Sequence, residues 1–152
     1  MCDQEVMKRF IQEASRMEKE IEELCRASCN LPQPVTVLDT RVNFPEWRSM
    51  DRSRQASEVW RGQSLLSAAV SQVRSQRPAV EPFLGLLQII ESSLRSIRDI
   101  LRGHRAQAAP QTLSSGGTLN VETVKKLFSV YTNFLRGKVD LYISGSCQGN
   151  RR

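Results

Sequence analysis

Four cysteines are the first candidates for chemistry in this chain. Cys2 and Cys147 stand almost at its two ends, and Cys25 and Cys29 form a close pair where the first helical segment stops. An even count favours cystines over free thiols, and cystines persist in oxidising compartments, so the chain reads as a secreted, helical, disulfide-stapled protein. A bridge between the end cysteines would close nearly the whole chain and restrict the unfolded state by about 5 kcal/mol in the chain-entropy picture. A bridge across the close pair would close only a small loop, and would serve to fix how the chain leaves the first helix. Structural zinc needs a second close pair of ligands, which the isolated Cys2 and Cys147 and the one histidine, His104, do not supply. There is no C-x-x-C motif for thiol redox work.

Acid–base catalysis fares no better. His104 follows a glycine that stops a helix, within a basic and exposed stretch, where a cation suits the negative end of the helix dipole. Glu18, Glu20, Glu22 and Glu23 are interrupted by Lys19 and do not share one helix face, so they read as solvated charge rather than a metal site. Gly116 and Gly117 lie in a linker and form no phosphate-cradling loop. The expectation is a protein without enzymatic activity, metal or cofactor.

Composition narrows the partners. A chain of 152 residues suits one domain with one core. Its 22 Lys and Arg against 16 Asp and Glu give a net charge of +6, which favours an acidic partner surface. The basic residues are scattered among acids, with no compact stripe interleaved with aromatic rings, so nucleic acid is not the expected partner. No apolar run approaches the roughly 18 residues needed to cross a bilayer, and membrane insertion is not expected. A secreted form would be a mature one lacking its signal peptide, with Met1 an added initiator. None of Asn30, Asn43, Asn120, Asn133 and Asn150 begins an N-x-Ser/Thr acceptor for N-linked glycan.

Four segments carry helical periodicity, at about 3–25, 51–76, 82–102 and 120–143. The first has Val6, Phe10, Ile11, Ala14, Met17, Ile21 and Leu24 as its inward stripe, with Asp3 as N-cap. The second turns Ala56, Val59, Trp60, Leu66, Val70 and Val73 inward and ends at Arg77 and Pro78. The third opens on Pro82, repeats Leu87, Ile90, Leu94, Ile97 and Leu101, and stops at Gly103. The fourth starts near Asn120 and buries Val124, Leu127, Phe128, Tyr131, Phe134, Leu135, Leu141 and Tyr142.

The connections set the topology. Arg77 to Glu81 is short, so helices two and three are antiparallel neighbours. Arg26 to Met50 is long enough to travel back along a helix of ~30 Å, so helices one and two run parallel. The Ala-, Gly-, Ser- and Pro-rich stretch from Gly103 to Leu119 is a second long, mobile crossing. The result is an all-α, up-up-down-down bundle in one domain, 1–152, with Cys2 and Cys147 at the same pole. Val35, Thr36 and Val37 have strand-like composition and predict a short extended piece in the first crossing.

On the fourth segment the inward stripe leaves Lys126, Asn133 and Arg136 as a basic exposed strip. Gly137 costs about 1 kcal/mol in a helix relative to Ala. It serves either to bend or end the helix, or to let another backbone come close.

Three motifs, V-T-V-L-D-T-R-V-N-F-P-E-W at 35–47, S-E-V-W-R-G-Q-S-L-L-S-A-A-V at 57–70 and K-K-L-F-S-V-Y-T-N-F-L-R-G-K at 125–138, resemble the erythropoietin family. So do C-D at the start and the single late cysteine before a basic tail. The resemblance spans almost the whole chain in order, and the sequence points to a non-mammalian vertebrate form. It implies the long-chain four-helix cytokine fold with disulfides Cys2 to Cys147 and Cys25 to Cys29. It also implies a secreted, extracellular, monomeric hormone that bridges two copies of the erythropoietin receptor, so that associated JAK kinases activate one another and STAT signalling drives red-cell production.

By motif match, the resemblance implies a higher-affinity receptor face made of Thr40, Arg41, Val42, Asn43 and Phe44 with Lys126, Asn133, Arg136 and Gly137. The weaker face would combine Val6, Arg9 and Phe10 with Ser92, Arg95, Ser96 and Ile100. Val42 and Phe44 would be apolar anchors of the higher-affinity face, or else Phe44 would pack the loop onto the bundle. Three positions depart from the family pattern: Pro34 stands where a glycan acceptor is expected, Ser15 where a lysine is usual, and Ser129 where a basic residue is usual. Two other functions fit less of the pattern, namely a thrombopoietin-like ligand for a different receptor and an intracellular basic helical binding module.

Overall fold

The computed structural model describes residues 4–40, 42–104 and 117–149, without the side chains of 146–149. Cys2, Asp3, Arg41, the Cys147 side chain and the middle of the second crossing lie outside the described residues, and the expectations for them are not addressed by it.

Helix α1, Gln4–Leu24, buries Met7, Ala14, Met17 and Ile21, a stripe at helical spacing. Two details differ from expectation. Met7 is fully buried while Val6, Phe10 and Ile11 are only half-buried, and Leu24 is 44% exposed. Leu24 is the last helical residue, and the half-buried Cys25 packs against the core in its stead. The Cys25–Cys29 disulfide then turns the chain into strand β1, Asn30–Leu38.

A six-residue helix, α2, Phe44–Ser49, lies in the first crossing and was not foreseen. Asn43 caps it, Pro45 sits in its first turn, and Trp47 is its buried anchor. Helix α3, Arg52–Arg74, starts at Asp51, whose carboxylate accepts the Arg54 N–H at 2.8 Å. It ends two residues before the expected Gln76, whose amide makes a reciprocal pair of 3.0 Å hydrogen bonds with the Gln33 backbone of β1. After a 3₁₀ turn at Glu81–Phe83, helix α4, Leu84–Gly103, returns antiparallel to α3, and the Arg74–Glu91 ion pair joins the two.

The expected helix start at Asn120 is replaced by strand β2, Thr118–Thr123. Val121 is buried between exposed Asn120 and Glu122, a two-residue alternation suited to a strand. The Thr123 hydroxyl then accepts the Lys126 N–H at 3.0 Å and starts helix α5, Val124–Phe134. β1 and β2 pair antiparallel, Val35 opposite Val121 and Val37 opposite Leu119, so each crossing satisfies backbone groups of the other. From α5 the chain runs without interruption through a π-helical turn, Leu135–Val139, into helix α6, Asp140–Gly149.

This is the up-up-down-down four-helix bundle, its fourth long helix being α5, the π turn and α6 together. Leu87, Ile90, Leu94, Ile97 and Leu101 of α4 are fully buried, facing a core that includes Phe128, Tyr131, Phe134 and Tyr142. Val130, Val139 and Ile143 join that core beyond the expected stripe, whereas Leu141 is only half-buried. At one pole Gln4 donates to the Ser144 hydroxyl at 3.2 Å, so the start of α1 and the end of α6 adjoin. At that pole Arg52 lies 3.6 Å over the Tyr142 ring, and the Tyr142 hydroxyl donates to the His104 carbonyl at 2.7 Å. His104 is therefore half-buried at the α4 terminus rather than in an open patch.

Candidate functional site

Two surfaces gather the residues singled out in the sequence. The first joins the crossing loop to the π-helical turn. Gly137 is the meeting point: a Cβ there would stand 3.1 Å from Val42 Cγ2 and 3.8 Å from the Thr40 carbonyl oxygen. Of the two uses foreseen for this glycine, close approach is the one seen: it lies within an uninterrupted π-helical turn and lets the loop come near. Around it Arg136 and Asn133 are exposed, Thr40 and Val42 are half-buried, and Phe44 is 52% exposed. About half of the Phe44 surface is thus open to a partner and half is covered. Asn43 is exposed, but its carboxamide oxygen is engaged in accepting the Glu46 N–H at 3.1 Å, the cap of α2.

Lys126 stands apart from this cluster. It is exposed in the first turn of α5, eleven residues before Gly137, or roughly 16 Å along a helix axis. A shallow groove of mixed charge between α1 and α5, lined by Ser15, Glu18, Lys19, Glu22, Lys125, Ser129 and Arg136, extends the first surface toward Lys125 rather than Lys126. Within it the Arg136 guanidinium donates to the Ser15 hydroxyl.

Sequence reasoning missed the supports beneath this surface. Lys138, just after Gly137, is buried; its ammonium pairs with Glu58 of α3 at 3.5 Å and donates to the Asp39 carbonyl at 3.2 Å. A signal was present: Lys138 lies four residues after Phe134 and four before Tyr142, in phase with the core.

The second surface joins α1 to α4. Val6, Arg9 and Phe10 line a shallow groove with Glu13, while Ser92, Arg95 and Ser96 are exposed on one face of α4 with half-buried Ile100 below them. The Ser93 hydroxyl donates to Glu13 at 3.4 Å and links the two helices. Behind the link lies Tyr131 of α5, whose hydroxyl burial pushes up to about 12, against a pull downward from Ser93. Glu13 faces α4 and Ser15 faces the π turn. Two residues are about 200° apart around a helix, so the two surfaces occupy opposite flanks of α1.

Among the described residues no three His, Cys, Asp or Glu side chains gather as a metal site would require, and no helix is long and apolar enough to cross a membrane. What the geometry offers is contact area: mixed arginines and half-exposed apolar side chains on rigid helices, a composition suited to protein recognition.

Comparison with known proteins agrees in kind. The erythropoietin/thrombopoietin family profile matches residues 1–150. The erythropoietin of Canis lupus familiaris is 37% identical over 163 residues, covering all of this chain and 78% of that protein. Those of Equus caballus and Mus musculus are 38% and 39% identical, each covering all of this chain and 84% of the relative. The chain belongs to the erythropoietin/thrombopoietin family of cytokine hormones, which are not enzymes.

Proposed function

We propose that this protein is a secreted, extracellular hormone that binds the erythropoietin receptor. It holds two receptor copies on its two surfaces, so that their associated JAK kinases phosphorylate each other and STAT signalling sustains erythroid progenitors. The observation that carries this reading is the seating of Val42 against Gly137, which brings residues nearly a hundred positions apart onto one exposed surface. The opposite flank of α1 offers a second, separate surface. A rigid ligand with two unlike faces acts by proximity and orientation alone, and its net charge of +6 favours encounter with an acidic receptor.

In this mechanism Thr40, Val42, Asn43, Phe44, Asn133, Arg136 and Gly137 form the stronger face, to which the family resemblance adds Arg41 and Lys126. Val6, Arg9, Phe10, Ser92, Arg95, Ser96 and Ile100 form the weaker one. Arg136 and Arg95 are the expected hot spots, each worth about 2 kcal/mol or more of binding.

The test separates the faces. Arg95→Ala is expected to fold and to bind a first soluble receptor normally, yet to lose signalling in cells bearing the erythropoietin receptor. Arg136→Ala is expected to weaken first-receptor binding by about thirtyfold, the equivalent of ~2 kcal/mol. Full signalling by the Arg95 variant would overturn the two-face mechanism, and response only in cells bearing a thrombopoietin-type receptor would overturn the choice of receptor.

A further inference from the structure

We infer that Glu58 and Lys138, neither of them on the receptor-facing surface, are positioning residues that hold the crossing loop in its binding geometry. This rests on the two-face reading above. Lys138 Nζ lies 3.5 Å from Glu58 Oε1, with side chains only 7% and 6% exposed, and donates to the Asp39 carbonyl oxygen at 3.2 Å. One ammonium thereby ties together α3, the π-helical turn and the residue immediately before Thr40. The Asp39 N–H in turn donates to the Gly117 carbonyl at 2.9 Å, so the root of the loop is held from both sides. Three residues after Asp39, Val42 rests in the slot left by the missing side chain of Gly137, the neighbour of Lys138. Root and seat of the loop are therefore set by consecutive residues of one π turn.

Stability alone does not account for the choice of residues. A buried ion pair is commonly no better for stability than an apolar pair of equal volume. An apolar pair cannot donate to a backbone carbonyl. A lysine has three donors, and its carboxylate partner can neutralise and orient the ammonium while leaving one donor for Asp39. Fold stability and loop position should consequently separate when the pair is replaced by isosteric apolar residues.

The decisive variant is the double substitution Glu58→Leu/Lys138→Met in the full chain. It is expected to unfold near the wild-type temperature and to keep its helical circular dichroism. The ¹⁵N order parameters of residues 42–44 should fall from ~0.85 to below ~0.6. First-receptor affinity should fall at least tenfold, and Lys138→Arg, which keeps a donor and a charge, should restore much of both. Should the double variant fail to fold, Glu58→Gln/Lys138→Met, which leaves no buried charge and likewise removes the donor to Asp39, supplies the same relaxation and affinity measurements, with the same direction expected. Wild-type order parameters in whichever variant folds would overturn the positioning role. That readout needs no receptor, so it stays distinct from failure of the face assignment, which unchanged binding by Arg136→Ala would reveal.

Discussion

The two surfaces are built differently. The first is composite: an irregular loop, a capped short helix and a π-helical turn meet there, and each is fixed by a polar contact. Lys138 reaches Asp39 and Glu58, Asn43 caps α2, and Arg136 bonds Ser15. The second consists of two regular helices whose exposed residues recur at three- and four-residue spacing, with the single Ser93–Glu13 bond between them among the hydrogen bonds described. Behind it Leu94 and Ile97 of α4 are fully buried in the core. A surface that includes irregular backbone has unsatisfied donors and acceptors to settle, and needs polar pins; a surface made of helix faces does not. The first surface should then be the one sensitive to loss of buried polar groups.

The harshest way to break this contrast is Glu58→Ala. It strands the Lys138 ammonium in the core, and losing one partner of a buried pair costs about 3–5 kcal/mol. Chemical denaturation should show a loss of that size, far larger than the isosteric double replacement produces. If the loss were below ~1 kcal/mol, the pair would be solvated in practice, and the first surface would not depend on buried polar pins after all.

The same contrast explains what could be seen in the sequence. The α4 stripe of Leu87, Ile90, Leu94, Ile97 and Leu101 was legible because a regular amphipathic helix writes its burial directly into spacing, and every member is fully buried. Arg95 followed as a residue off that stripe, while Ser92 and Ser96 came only from the family resemblance. The strand propensity of Val35–Val37 was legible for a similar reason. Its partner was not, because Thr118–Thr123 contains Leu119 and Glu122, which suit a helix equally well, and only pairing with β1 decides between them. Lys138 and Glu58 were illegible as a pair because each looks like surface charge by type. Their burial is compensated across eighty residues of sequence, which spacing cannot reveal. Gly137 left both of its uses open for the same reason, since the loop that fills its slot comes from elsewhere in the chain.

A perturbation beneath both surfaces offers a second test. Tyr131 is buried behind the α1–α4 link, and its hydroxyl is pushed up to about 12 from the ordinary tyrosine value near 10, chiefly by burial. Between those values the unfolded chain binds fewer protons than the folded one. Stability should therefore be fully present below pH ~10 and decline as pH rises toward 12, by as much as about 3 kcal/mol. Tyr131→Phe should remove that part of the alkaline decline. Because the ring supports the core behind both surfaces, binding at each should weaken together at high pH. Loss confined to the first surface would show that alkali acts on the loop rather than on Tyr131, and an unchanged pH profile in the Phe variant would show the same.

The smallest effect sharpens the comparison most. Ser93 is 6% exposed, and its hydroxyl makes a long bond of 3.4 Å to Glu13, the one described polar link between the two helices of the second surface. If packing holds that surface, Ser93→Ala should cost less than ~1 kcal/mol. Glu13 is only half-buried and can turn to water when the hydroxyl is gone, so no buried charge is stranded. This is the opposite of the situation at Glu58, where Lys138 has no exit. Second-receptor recruitment, followed as signalling at a saturating concentration of the variant, should match wild type. A severalfold loss of signalling with normal first-receptor binding would mean that a polar pin positions α1 against α4 as Lys138 positions the loop. The two surfaces would then differ in shape but not in how they are held.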